Sequence, residues 1–176
     1  ALRPMSDIDL LVKKTDLDAA KEVLSKMGYT QSPFAKDYAE HHHIAPFVKR
    51  DDEQRNSPPV EVHHNISKNL VASWSSTDWL WENAQATKIA GSDALILSPE
   101  KLILHLCLHL SDSGFLNGMK TLVDISESII YYGKNLNWDL LIRRSKELGV
   151  SNSVYYPLNL AKEMIGSDIP VCVLDD

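Results

Sequence analysis

The sequence predicts an α+β protein: a small mixed β-sheet with helices, followed by a C-terminal helical bundle. Three observations carry this. Short runs with a period of two crowd into the first third and end near Ile66. Longer runs with a helical period follow from Leu97 onward, most of them closed by a glycine. Strands first and helices later favour segregated α+β layers over an alternating βαβ order.

The first element is "SDIDLLV". Ile8, Leu10 and Val12 alternate with Asp7, Asp9 and Leu11. The pattern predicts a strand that sends the three apolar residues into a core and both aspartates to the other side. "KKTDLDAAKEVLSKMGY" reads as a helix, with Thr15 as cap and Gly28 at its stop. Leu17, Ala20, Val23, Leu24 and Met27 are expected on its buried face. "YTQSP" and "HHHIAPFV" read as short strands, the second at an edge or bulge because of Pro46. "KRDDEQRNSPP" is a polar loop, and "VEVHHNI" the last strand. "STDWLWENA" reads as a short helix. Its tryptophans are expected to pack rather than to stack on a base.

The helical half opens at "LSPEKLILHLCLHLSDSG". Ser98 is the cap, Pro99 takes the first helical position, and Glu100 suits the positive helix end. "LNGMKTLVDISESIIYYG", "NWDLLIRRSKELG" and "SVYYPLNLAKEMIG" supply further helices. The expected organisation is an α/β part over residues 1–70, a connecting segment over 71–97 and a helical domain over 98–176.

Composition narrows the function. The 176 residues are 44% hydrophobic and 24% charged, with a net charge of −6. A long polynucleotide needs a basic surface, so a nucleic-acid partner is disfavoured. A nucleotide carried by a cation is compatible with this charge, because the ion supplies the positive field locally. The two cysteines, Cys107 and Cys172, form no CxxC pair, which points to reduced thiols and a cytoplasmic setting. "LILHLCLHL" is too short to cross a bilayer, and no membrane partner is expected.

Two aspartates one residue apart on a strand stand about 7 Å apart on one face and repel each other. A divalent cation resolves that repulsion, and oxygen donors suit Mg²⁺ or Mn²⁺. Among 24 acidic residues an isolated Asp-x-Asp is ordinarily a solvated strand end. The combination with Glu61, which opposes Val60 and Val62 on a later strand, changes the weighting. The histidines cluster as well. His63 shares a strand face with Glu61 and can orient a carboxylate, contact a phosphate or carry a proton. His105 and His109, four apart on one helical face, can bind zinc or face a substrate. The run His-Leu-Cys-Leu-His lacks the glutamate of a zinc protease helix.

The residues "RPMSDIDLLV", "GY" after the first helix, "HHHIAP", "VEVHH" and "LSPEKLILHLCLHL" together resemble an uncharacterised bacterial nucleotidyltransferase family of the DNA polymerase β-like superfamily. The resemblance implies a nucleotidyltransferase-like fold. It implies that Asp7, Asp9 and Glu61 are the catalytic metal ligands, for Mg²⁺ or Mn²⁺. It also implies transfer of a nucleoside monophosphate from a triphosphate such as ATP to an acceptor, with a small molecule or a protein as the acceptor class. Arg3, His63, His105 and His109 are candidate substrate contacts. The superfamily carries a Gly-Ser turn before its acidic pair, and the six residues ahead of Asp7 hold no glycine. That departure suggests a trimmed N-terminus and gives weight to an alternative: an inactive nucleotide-binding or antitoxin-like module of the same fold.

Overall fold

A computed structural model of the chain describes residues 6–32, 41–49, 57–71, 77–116 and 118–174. Arg3, Trp74 and most of the polar loop after Lys49 lie outside the described residues. The chain divides into two compact units, Ala1–Asp78 and Trp79–Asp176.

The first unit is built on a four-stranded sheet in the order β1-β4-β3-β2. Its strands are β1 (Ile8–Leu11), β2 (Thr30–Gln31), β3 (Phe47–Val48) and β4 (Val60–His63). β1 runs parallel to β4, while β4–β3 and β3–β2 are antiparallel, so the sheet is mixed as the sequence predicts. The helix α1 (Leu17–Lys26) follows a 3-10 turn at Lys14–Asp16. Thr15 is not the cap. It lies inside that turn and its hydroxyl donates to the Asp16 carboxylate at 3.1 Å. The helix stops where predicted: Gly28 takes a φ of 84°, a left-handed conformation open to glycine at little cost.

The core of this unit is Leu24, Phe47, Val60 and Val62, with Val12, Leu17, Ala20, Tyr29 and Ile44 packed around it. Leu17, Ala20 and Leu24 follow the i, i+3, i+7 stripe of α1. Val23 and Met27, expected on the same face, flank the stripe and are exposed. The larger departure is in β1. Val12 reaches the core, but Ile8 and Leu10 remain 38% and 42% exposed. β1 is the outermost strand in the described sheet order, and the core centres on the β3–β4 side of the sheet. Alternation tells which residues share a face. It does not tell whether that face is covered.

In the second unit a β-hairpin replaces part of the expected connecting segment. β5 (Gln85–Ile89) and β6 (Ser92–Ile96) pair in full antiparallel register from Gln85↔Ile96 to Ile89↔Ser92. Ala90 and Gly91 form the two-residue turn with φ of 49° and 85°. Positive φ at both turn positions matches the twist of a hairpin and is usually signalled by Asn-Gly or Asp-Gly. An alanine in the first position hides that signal. The expected "STDWLWENA" helix is a single 3-10 turn, Asp78–Leu80, that buries Trp79 and Leu80.

Helices α3 (Pro99–Asp112), α4 (Gly118–Tyr132), α5 (Trp138–Glu147) and α6 (Ser151–Leu160) form the helical core, preceded in the chain by the short α2 (Lys68–Val71) of the first unit and followed by α7 (Val171–Leu174). α3 packs against α4, α5 and α6. Its start is the predicted one, with Ser98 in extended conformation and Pro99 next. Ile103, Leu104, Cys107, Leu108 and Leu110 are buried along it, and Ile125, Leu141, Val154 and Leu158 face the same core. Asn137 caps α5 by accepting from the Leu140 amide at 2.9 Å. Among the described residues no helix is long and apolar enough to cross a membrane.

Candidate functional site

The sheet places Asp9 and Glu61 side by side. β1 and β4 are parallel and in register, with Asp9 opposite Glu61 and Leu11 opposite His63. The ladder continues past β1, where the Val12 amide donates to the His63 carbonyl at 2.9 Å. On β4 the valines at 60 and 62 enter the core, so Glu61 and His63 must emerge from the opposite face. That is the face the sequence predicts for them.

The three side chains meet. His63 Nε2 lies 3.1 Å from Asp9 Oδ1 and 3.6 Å from Glu61 Oε2. One donor atom from each of Asp9, Glu61 and His63 falls within 4.8 Å of the others. The imidazole is the sheltered member, at 12% side-chain exposure, while the Asp9 carboxylate is 59% exposed and forms the open side. Asp7 stands outside this cluster. Its carboxylate accepts from the Ser6 hydroxyl at 2.8 Å.

Other histidines surround Glu61 and His63 because the chain from His42 to Ile44 lies along the far side of β4. His43 bridges to His63, the Ile44 amide donates to the Val62 carbonyl at 3.0 Å, and the His64 amide donates to the His42 carbonyl at 2.9 Å. Pro46 interrupts this run just before β3. The rings of His43 and His42 lie 4.9 Å and 5.1 Å from the His63 ring, and His43 Nδ1 is 3.8 Å from Glu61 Oε2. Sequence reasoning set His63 beside Glu61 but missed His43. The alternation within "HHH" allowed two of the three to share a face, and only strand pairing shows which of them meets the glutamate.

The electrostatics follow from the geometry. Burial works against a charged His63, but hydrogen bonds to Asp9 and Glu61 and the charges of both outweigh it and raise its pKa to about 9. Glu61 is held below the usual carboxylate range, chiefly by its hydrogen bond to His63 and against its own burial. His64 is shifted down, first by burial. A protonated His63 would offset the charge of the two carboxylates beside it.

The family described as uncharacterised nucleotidyltransferase matches residues 1–166 of the chain. The chain belongs to this family. Membership makes it a nucleotidyltransferase-type protein with a nucleotide as its implied substrate, and its mixed sheet followed by helices agrees with that fold. No curated protein and no solved structure matches it.

In this nucleotidyltransferase family member, the donor set at the sheet fits a divalent cation: two carboxylates and one imidazole, close enough together to share one ion. His105 and His109 are on α3, in the second unit, with ring centroids 6.1 Å apart. Among the described residues they join no cluster of three metal-ligating groups. Cys107, between them, is fully buried in the helical core, and burial pushes its thiol far above the ordinary range, as suits the packing role read from sequence. Trp79 is also structural here. The Arg144 guanidinium sits over its ring at 5.4 Å, and the Lys101 amine donates to the Glu82 carbonyl, tying the 79–82 turn to the helices.

Proposed function

We propose that the protein transfers a nucleoside monophosphate from a nucleoside triphosphate to an acceptor hydroxyl, with pyrophosphate leaving, at the Asp9–Glu61 face of the sheet. The observation that carries this reading is the register of β1 and β4, which sets Asp9 directly opposite Glu61. Asp9 and Glu61 would hold Mg²⁺ or Mn²⁺; Asp7, which the family resemblance adds as a ligand, would have to turn toward them from just before β1. An ion held there would neutralise phosphate charge and polarise the reacting phosphorus.

The chain's own groups do the rest. Glu61, held ionised, accepts the proton of the incoming hydroxyl, and the rigid strand pair keeps it in place. Asp9, the most exposed of the three, would hold the ion on the side that the triphosphate approaches. His63 holds Asp9 by a hydrogen bond at 3.1 Å and stands 3.6 Å from Glu61 as an ion-pair partner. A net charge of −6 favours a small molecule or a protein as acceptor over a nucleic acid.

The decisive experiment is pyrophosphate release from each of the four common triphosphates over a panel of acceptors. Loss of release in Asp9→Asn and Glu61→Gln, with folding intact, supports the reading; unchanged release defeats it. A second reading has its own support. His63 stands within ion-pair distance of both carboxylates and can offset their charge without a metal, which is compatible with a non-catalytic nucleotide-binding or antitoxin-like module. Thermal stabilisation by a triphosphate with no turnover in any acceptor mixture selects that reading.

A further inference from the structure

We infer that His63 is itself a metal ligand, through Nε2 once its proton is displaced, and that the site therefore favours a later first-row ion such as Zn²⁺, and Mn²⁺ to a lesser degree, over Mg²⁺. The inference deepens the proposed function and rests on that reading's metal, but it assigns His63 a different role from the orienting or phosphate-contacting one.

The converging donors are not an all-oxygen set. They are Asp9 Oδ1, Glu61 Oε2 and His63 Nε2, while Asp7 lies outside the cluster. Mg²⁺ demands oxygen donors and keeps much of its water, whereas imidazole favours later first-row ions. Spacing agrees. An ion about 2.1 Å from each donor puts neighbouring donors about 3.0 Å apart in an octahedron and about 3.4 Å apart in a tetrahedron. His63 Nε2 stands 3.1 Å and 3.6 Å from the two carboxylate oxygens. Both distances from the nitrogen donor are thus close to polyhedron edges, and all three donor atoms lie within 4.8 Å of one another.

The nitrogen donor is also the best-held of the three. The His63 backbone is pinned in β4, and its ring is walled by His42 and His43 at 5.1 Å and 4.9 Å. His43 Nδ1 bonds the Ile44 carbonyl at 3.1 Å and lies 3.8 Å from Glu61 Oε2, so it supports the second ligand as well. A ligand whose orientation is fixed by its neighbours discriminates between ions by geometry as well as by donor type. Asp9 is the most exposed of the three donors, at 59% side-chain exposure.

The test uses the full chain without nucleotide, so that metal binding is read apart from turnover. Calorimetric titrations with Zn²⁺, Mn²⁺ and Mg²⁺ are compared for wild type, His63→Asn and His63→Asp. In wild type, Zn²⁺ and Mn²⁺ should bind more tightly than Mg²⁺. His63→Asn should weaken Zn²⁺ and Mn²⁺ about 10- to 100-fold and barely change Mg²⁺. His63→Asp, which restores an all-oxygen set, should shift preference back toward Mg²⁺. Pulsed electron paramagnetic resonance of bound Mn²⁺ should show nitrogen coupling in wild type and none in His63→Asp. Absence of that coupling in wild type, or equal affinities for the three ions there, overturns the inference even if the variants do not fold. Pyrophosphate release lost in Asp9→Asn alongside nitrogen-free Mn²⁺ would retain the proposed function and reject the ligand role. A nitrogen-coordinated ion without turnover would do the reverse.

Discussion

The sheet unit and the helical unit use side chains in opposite ways. In the helical unit the histidine-bearing helix α3 is the packed centre: it buries Ile103, Leu104, Cys107, Leu108 and Leu110, and even its Lys101 is buried against a backbone carbonyl. The sheet unit packs around Leu24, Phe47, Val60 and Val62 and leaves Ile8 and Leu10 of β1 in contact with solvent. What it gains is a polar sheet face on which Asp9, Glu61 and His63 converge from two strands. Histidines on a buried helix and histidines on a half-covered strand pair look alike in sequence. The strand pairing places the second set beside Asp9 and Glu61.

The sharpest way to break this contrast is at the carboxylates. Glu61→Gln should reduce nucleotidyl transfer by at least about 100-fold in a pyrophosphate-release assay, while leaving the thermal transition of the helical unit unchanged. A comparable loss in His105→Gln with an intact Glu61 would move the chemistry toward the helices.

Packing gives the next largest effect. Leu108→Ala removes a fully buried side chain from α3 and should cost about 2–5 kcal/mol in denaturant unfolding. Leu10→Ala, on the exposed strand, should cost less than about 1 kcal/mol. Equal costs would mean that β1 is covered in solution.

The pH response of the metal-free protein follows from His63. Its folded pKa of about 9 lies above the unfolded value near 6.5. The stabilisation from its ion pairs is therefore complete below about pH 6.5 and fades as pH rises through 9. Glu61, held low, contributes above its unfolded value and loses that contribution as pH falls through its depressed pKa. Melting temperature should therefore decline from pH 6.5 to 9. The loss should be on the order of 1–2 kcal/mol, since the mostly exposed Asp9 is screened by solvent. His63→Gln should flatten the decline. A decline that persists in that variant would place the titrating group elsewhere.

The smallest effect concerns the thiols. Cys107 is buried with its thiol pushed up, and Cys172 is exposed. A thiol reagent should label one equivalent quickly and the second only on unfolding; two fast equivalents would show an open helical core.

Much of this was legible residue by residue. The apolar face of "VEVHH", the start of α3 at Ser98 and Pro99, and the stop of α1 at Gly28 all follow from local pattern and backbone preference. Three features were not. The hairpin at 85–96 turns through Ala90-Gly91, whose conformation an alanine does not advertise. Thr15 lost its capping role to a 3-10 turn, and the cap moved one residue on to Asp16, a shift that sequence pattern does not resolve. His43 met Glu61 through a bridge between segments twenty residues apart in number, from 43 to 63.

By itself, the sequence determined which side chains share a face, because backbone geometry repeats every two residues in a strand and every 3.6 in a helix. It therefore paired Glu61 with His63 and set both against the buried valines. Only the tertiary structure decided that β4 lies beside β1 in the register that brings Asp9 to Glu61 and His63, and that Ile8 and Leu10 stay exposed. Strand partnership and burial are long-range outcomes, fixed by how the whole core closes, and no local period encodes them.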